Sequence, residues 1–112
     1  MTKIRKTYLE VNPELLFAEI RDFSLKQGLE LIETKQETYT LPDESASFVS
    51  RGTLVFAHKA NGKKECLRAH IVGSAREETK LMMDIDEAAF PAEKLAALQE
   101  DLDFIFGSSE IQ

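Results

Sequence analysis

Ala60-Asn61-Gly62-Lys63 decides how this chain of 112 residues is read. Asn-Gly takes the positive φ of a type I′ turn, so the four residues close a hairpin between strands expected over residues 48–59 and 64–74. With Ala60 facing Lys63, Phe56 faces Leu67, Leu54 faces Ala69 and Gly52 faces Ile71. These residues form one apolar face, directed toward the helices. The other face presents Arg51, Thr53, Val55, Ala57, Cys66, Arg68, His70 and Val72. A slip of one residue would bury Arg68 and expose Leu67, so the pattern itself supports the register.

Outward from the hairpin, residues 29–40 read as a second strand. Its Glu33–Glu37 stretch is polar on both faces, which suits an edge or a protruding hairpin. Leu41-Pro42-Asp43-Glu44-Ser45 is a loop signal, and Ala75-Arg76-Glu77-Glu78 a turn. Residues 79–85 form a fifth strand, with Leu81, Met83 and Ile85 inward and Lys80, Met82 and Asp84 outward. Residues 3–11 form the first strand, where Thr7, Leu9 and Val11 alternate with Lys6, Tyr8 and Glu10. Asn12-Pro13-Glu14 is a helix start: Asn12 caps a free N–H, and Pro13 fits the first helical position. Leu16, Ile20 and Phe23 give that helix its inward stripe, Gly28 ends it, and Leu25 falls on its far side. Pro91 opens a last helix and Gly107 ends it. Leu95, Leu98, Leu102, Ile105 and Phe106 form its buried stripe, and Phe104 lies on the far side.

The order is therefore β-α-β-β-β-β-α. The fold class is α+β, a two-layer sandwich with both helices on one face of an antiparallel sheet. No repeat or linker divides the chain, so residues 1–112 are expected to form a single domain. The apolar share of 43% and the charged share of 30% are those of an ordinary globular protein.

Composition also excludes function classes. No apolar run is long enough for a membrane span. The basic start Met1-Thr2-Lys3-Ile4-Arg5-Lys6 is followed by no apolar core, so no secretory signal is expected there. The one cysteine, Cys66, rules out an internal disulfide and fits a reducing compartment; the expectation is a cytoplasmic protein. A net charge of −6 opposes nucleic acid and anionic membranes as partners. The charge is uneven. The chain is acidic from Asp84 onward, and basic between residues 51 and 80 through Arg51, Lys59, Lys63, Lys64, Arg68, Arg76 and Lys80.

The residues that carry chemistry do not assemble. His58 and His70 point to opposite faces in the hairpin register, with His58 opposite Glu65 and His70 opposite Thr53. Cys66 and His70 share a face but lie ~13 Å apart along one strand, too far for a nucleophile and its base. Asp84 and Asp86 offer oxygens without further ligands nearby, and Asp84 can instead pair with Arg68 across the sheet. No glycine pattern makes a phosphate loop. Gly52 and Gly73, inside strands, mark bends or leave room for a ligand. The expectation is a non-enzyme with no catalytic residue, no metal and no cofactor.

Thr7-Tyr8-Leu9-Glu10-Val11-Asn12-Pro13-Glu14-Leu15-Leu16-Phe17 resembles the strand-then-helix opening of START and Bet v 1-like domains. The element order is similar to the TATA-binding-protein-like and helix-grip folds. The resemblance implies a sheet that grips the last helix.

Two functions are expected. One is a protein-interaction or adaptor domain, binding a protein partner or a second copy through Tyr8, Met82, Phe104 and Leu25. The other is a module for a small, partly apolar anionic ligand. Its anionic group would meet Arg51, Arg68, His70 and Lys80, and its apolar part a cavity near Phe56, Met83 and Leu98.

Overall fold

The computed structural model describes residues 2–40, 48–58, 64–74 and 77–111. Its elements are β1 (Thr2–Leu9), α1 (Pro13–Lys26), β2 (Leu29–Thr40), β3 (Phe48–His58), β4 (Glu65–Gly73), β5 (Glu78–Ile85), α2 (Ala92–Phe106) and β6 (Glu110–Ile111). The strands form one sheet in the order β2-β3-β4-β5-β1-β6. Every strand pair in it is antiparallel. The α+β class and the order of elements are as expected, with β6 added at the end. The turn residues Ala60-Asn61-Gly62-Lys63, with Lys59, lie outside the described residues. So do the loop 41–45 and the turn residues 75 and 76.

Asn12 caps α1 as read, its side chain accepting from Glu14 N at 2.9 Å. Gly28, at φ +86°, provides the left-handed step after the helix that a residue with Cβ takes poorly. β2 is an edge strand. Its outward charges Glu30, Glu33, Lys35 and Glu37, and the shift in its pairing with β3 between Leu31 and Glu33, discourage another chain from adding to that edge.

The core lies between the sheet and the helices. Leu54, Phe56, Leu67, Ala69, Ile71, Leu81, Met83 and Ile85 supply the sheet side. Leu16, Phe17 and Ile20 supply α1, and Leu98, Leu102 and Phe106 supply α2. At roughly 2 kcal/mol per fully buried large apolar side chain, this layer is the main source of stability. Phe90, before α2, is fully buried as well.

The β3–β4 register is the one read from the hairpin: Phe56 opposite Leu67, Leu54 opposite Ala69, Gly52 opposite Ile71. It fails at one end. Between Phe56 and Ala57 the pairing shifts, so Ala57, not His58, stands opposite Glu65. The extra residue is Cys66. It turns into the core beside Leu67 instead of joining His70 outside. Burial raises the Cys66 thiol pKa, and nearby Asp86 adds to the rise.

β1 reverses the expected alternation. Ile4 and Tyr8 face the core, whereas Leu9 is 48% exposed. Glu10 takes φ +58°, which resets the side-chain parity and returns Val11 to the core. Tyr8 is fully buried and tilts against Phe106 with ring centroids 5.8 Å apart. It therefore belongs to the core and not to an exposed partner surface. Its hydroxyl pKa is raised by burial, then by Glu110 and Asp103.

α2 departs from its expected stripe at Ile105, which is 44% exposed. Gly107 keeps a right-handed φ of −58° and leads into a 3₁₀ turn over Gly107–Ser109. β6 follows and pairs with Thr7 and Tyr8. Lys6 secures this end, reaching Glu110 at 3.1 Å and Asp103 at 3.5 Å.

Candidate functional site

Among the described residues no helix covers the outer face of the sheet. Its side chains follow from strand parity. One row across the sheet runs Lys35, Thr53, His70, Met82, Arg5; the next runs Glu37, Arg51, Val72, Lys80, Thr7. Arg51 and Lys80 flank Val72 in the same row, so their Cα atoms lie ~10 Å apart. Arg5, opposite Met82, is one diagonal step from Lys80.

Two shallow depressions mark this face and share Val72. One, of about 420 Å³, is lined by Lys35, Glu37, Arg51, Thr53, His70 and Met82 besides Val72. The other, of about 600 Å³, is lined by Leu9, Val49, Gly73, Ser74, Glu77, Glu78 and Lys80 besides Val72.

The structure separates the expected site residues by their surroundings. Arg51, His70, Lys80 and Met82 share the outer face, as read. Arg68 is on the same face but is occupied. Its Nε and Nη2 donate to Glu65 at 3.0 and 2.8 Å, a two-pronged ion pair. The partner is Glu65 and not Asp84, although Asp84 stands opposite Arg68 in the register. The bulge at Cys66 explains this, because the extra residue puts positions three apart on one face. The bond to Arg68 draws the Glu65 carboxyl below its ordinary pKa. Lys35 is also paired, with Glu37 at 2.9 Å. Among the described residues Arg5, Arg51 and Lys80 form no ion pair. Glu33, Glu78 and Asp84 also lie on this side. The cations gather at the centre, around Val72 and Met82.

His70 Nδ1 lies 3.1 Å from Thr53 Oγ1, which fixes the imidazole against its cross-strand neighbour. His58 is on the helix side of β3, so the two histidines stay apart. Asp86 Oδ1 accepts from Ala88 N at 3.0 Å and so shapes the turn before α2. Among the described residues no three His, Cys, Asp or Glu side chains gather in a metal-ligating group.

Beneath the sheet a depression of about 220 Å³ opens at one edge, where Pro13 and Phe17 of α1 meet Gln36, Thr38, Gly52 and Ile71, but the centre is filled. Phe56, Met83 and Leu98, where the ligand reading needs a cavity, are fully buried members of the core. The room left by Gly52 is taken by Phe17: a Cβ there would stand 2.5 Å from the ring. Gly73 is likewise pressed against the Thr79 backbone.

Phe104, 91% exposed, lies on α2 on the opposite side of the molecule from Met82. Sequence reasoning missed Arg5 and Leu9 on the outer face. Their placement needs the β1–β5 pairing, which no turn signal announces. No described helix is long and apolar enough to cross a membrane. The chain matches no family model, no curated protein and no solved structure.

Proposed function

We propose that this chain is a protein-interaction module that receives an acidic, partly apolar surface of its partner on the open face of the sheet. The observation that carries the reading is the grouping of Arg5, Arg51 and Lys80, without ion pairs among the described residues, around Val72 and half-exposed Met82. Cations in such a setting recognise carboxylates, while Met adapts to varied apolar contacts. The charge pattern disfavours two sheet faces meeting each other, since the same three cations would then oppose themselves.

The test is an NMR titration of the ¹⁵N-labelled protein with a synthetic amphipathic peptide of Glu and Leu. A control peptide carries Lys in place of Glu. The expected result is a Kd of about 10–100 µM for the acidic peptide. Shifts should cluster on β3, β4 and β5, and Arg51→Glu with Lys80→Glu should abolish them. Equal binding of the lysine peptide, or undiminished binding by the variant, overturns the reading.

A second reading is favoured by the depression of about 420 Å³, where Arg51, Thr53 and His70 converge. It is a site for a small anionic ligand on the outer face. Titration with inorganic phosphate and with short-chain carboxylates tests it. Shifts confined to these three residues support it, and shifts scattered over the surface count against it.

A further inference from the structure

The chain carries, on its other side, a surface of the kind the open face is built to receive. Glu93, Ala96, Glu100, Asp103 and Phe104 are all exposed along α2 at helical spacing. The lysine of this helix, Lys94, is turned away, its Nζ donating to Gln27 O at 3.0 Å beside α1. The exposed side of α2 therefore joins carboxylates to a bare aromatic ring; Asp103 is met by Lys6 of β1 at 3.5 Å, while Glu93 and Glu100 form no ion pair among the described residues.

We infer that the open sheet face of one copy takes α2 of a second copy, so that the protein associates head to tail. This rests on the docking reading above and names the partner. Phe104 would lie among Val72, Met82 and Leu9, with Glu100 near Lys80 and Arg51. The two surfaces are on opposite layers of the molecule, so the contact is heterologous. It leaves a free sheet face and a free α2 at the ends of every assembly, and a two-fold dimer does not satisfy it.

The contact is small. α2 is only ~22 Å long, so one helix laid on the sheet buries less than the ~800 Å² per partner of a standard interface. Association is consequently weak, and the net charge of −6 keeps assemblies short.

Sedimentation velocity on the full chain from about 10 µM to about 1 mM tests this. The average sedimentation coefficient should climb with concentration and pass the dimer value without a plateau. Two variants block one surface each: Arg51→Glu with Lys80→Glu on the sheet, Glu100→Lys with Phe104→Ser on α2. Each alone should stay monomeric, with circular dichroism and melting showing it folded. Mixed in equal amounts, they should form a 1:1 heterodimer and nothing larger, because each keeps the surface the other has lost. A monomeric wild type at the top concentration overturns the inference, as does a variant that still self-associates or a mixture that stays monomeric. The peptide titration separates the failures. Acidic-peptide binding by a monomeric wild type leaves the docking reading standing with a different partner, whereas loss of both removes the reading itself.

Discussion

The helix-facing side of β3, β4 and β5 and the outer side of the same three strands share a backbone but follow different rules. Toward the helices stand Leu54, Phe56, Ala69, Ile71, Leu81, Met83 and Ile85, all buried and all uncharged. Outward stand Arg51, Arg68, Lys80 and Asp84 among Val55, Val72 and Met82. The outer side is itself divided. Val55 and Ala57 are buried there, and their register neighbours are Glu33, Arg68, Glu30 and Glu65. Long charged side chains of this kind lay their stems over apolar neighbours. The Arg68–Glu65 pair thus closes one half of the face, and the half around Val72 stays open. The difference teaches that burial on this sheet follows what covers a position as much as the residue type placed there.

The sharpest test of the contrast is a matched pair of truncations. Phe56→Ala should cost about 3–5 kcal/mol in denaturant unfolding, through lost transfer energy and a cavity. Met82→Ala, on the open half, should stay within about 0.5 kcal/mol. Similar losses for the two would break the comparison.

Glycine substitutions probe the closeness of the inner packing. Gly73→Ala drives a Cβ into Thr79 Cα, a backbone atom that cannot swing aside. Gly52→Ala meets the Phe17 ring instead. Each should cost about 1–3 kcal/mol. In a Phe17→Leu background the Gly52→Ala penalty should shrink, while that of Gly73→Ala should persist. Equal persistence would mean that Phe17 is not what fills the space over Gly52.

Thr79 is the polar exception on the inner side of β5. It is fully buried, and its hydroxyl donates to Val11 O at 2.7 Å. Thr79→Val keeps the shape and removes the donor. Thermal melting should show a loss of about 1–2 kcal/mol, since the Val11 carbonyl would remain buried without that bond.

The smallest effects distinguish two carboxyls by sign. Hydrogen bonding of a protonated Glu19 carboxyl on α1 to Asp101 of α2, then burial, raises the Glu19 pKa. The folded state therefore holds that proton more tightly than the unfolded chain. Its contribution is complete below the ordinary carboxylate pKa and is lost as pH rises through the raised one. Glu65 is the reverse. Its contribution is complete above the ordinary value and is lost as pH falls through the lowered one. Glu19→Gln should accordingly raise stability at neutral pH and Glu65→Gln lower it. Each change should be only a few tenths of a kcal/mol, because both sites are partly exposed. Melting curves at acid and neutral pH would show the opposite slopes.

Much of the frame was legible in the sequence. Asn12-Pro13 placed α1, and the Asn61-Gly62 signal led to the register of Phe56 with Leu67 and Gly52 with Ile71. What it hid were departures from regular backbone. Thr7, Leu9 and Val11 make as good an apolar alternation as Ile4 and Tyr8. The positive φ of Glu10 lets Val11 rejoin Ile4 and Tyr8 on the core side, which the alternation alone does not show. Cys66 follows a glutamate and precedes a leucine, and nothing in that triplet announces a bulge. The candidate site shared this fate. Arg51, His70, Lys80 and Met82 were placed on the outer face because strand parity held, and Arg68 was placed there too but without its engagement by Glu65. Arg5 waited on a pairing between strands far apart in the chain.

That pairing also bears on how the protein comes into being. β1 lies between β5 and β6 and forms its main ladder with residues 78–85. During synthesis β1, made before the other strands of this sheet, must wait unpaired until residues 78–85 have followed it. Contacts so distant in sequence slow folding, and an unpaired strand edge is open to wrong partners while it waits. Lys3, Arg5 and Lys6, spaced through this strand, put like charges on every chain at the same stage. Nascent chains that meet there repel one another, which protects the longest interval in the assembly of the sheet.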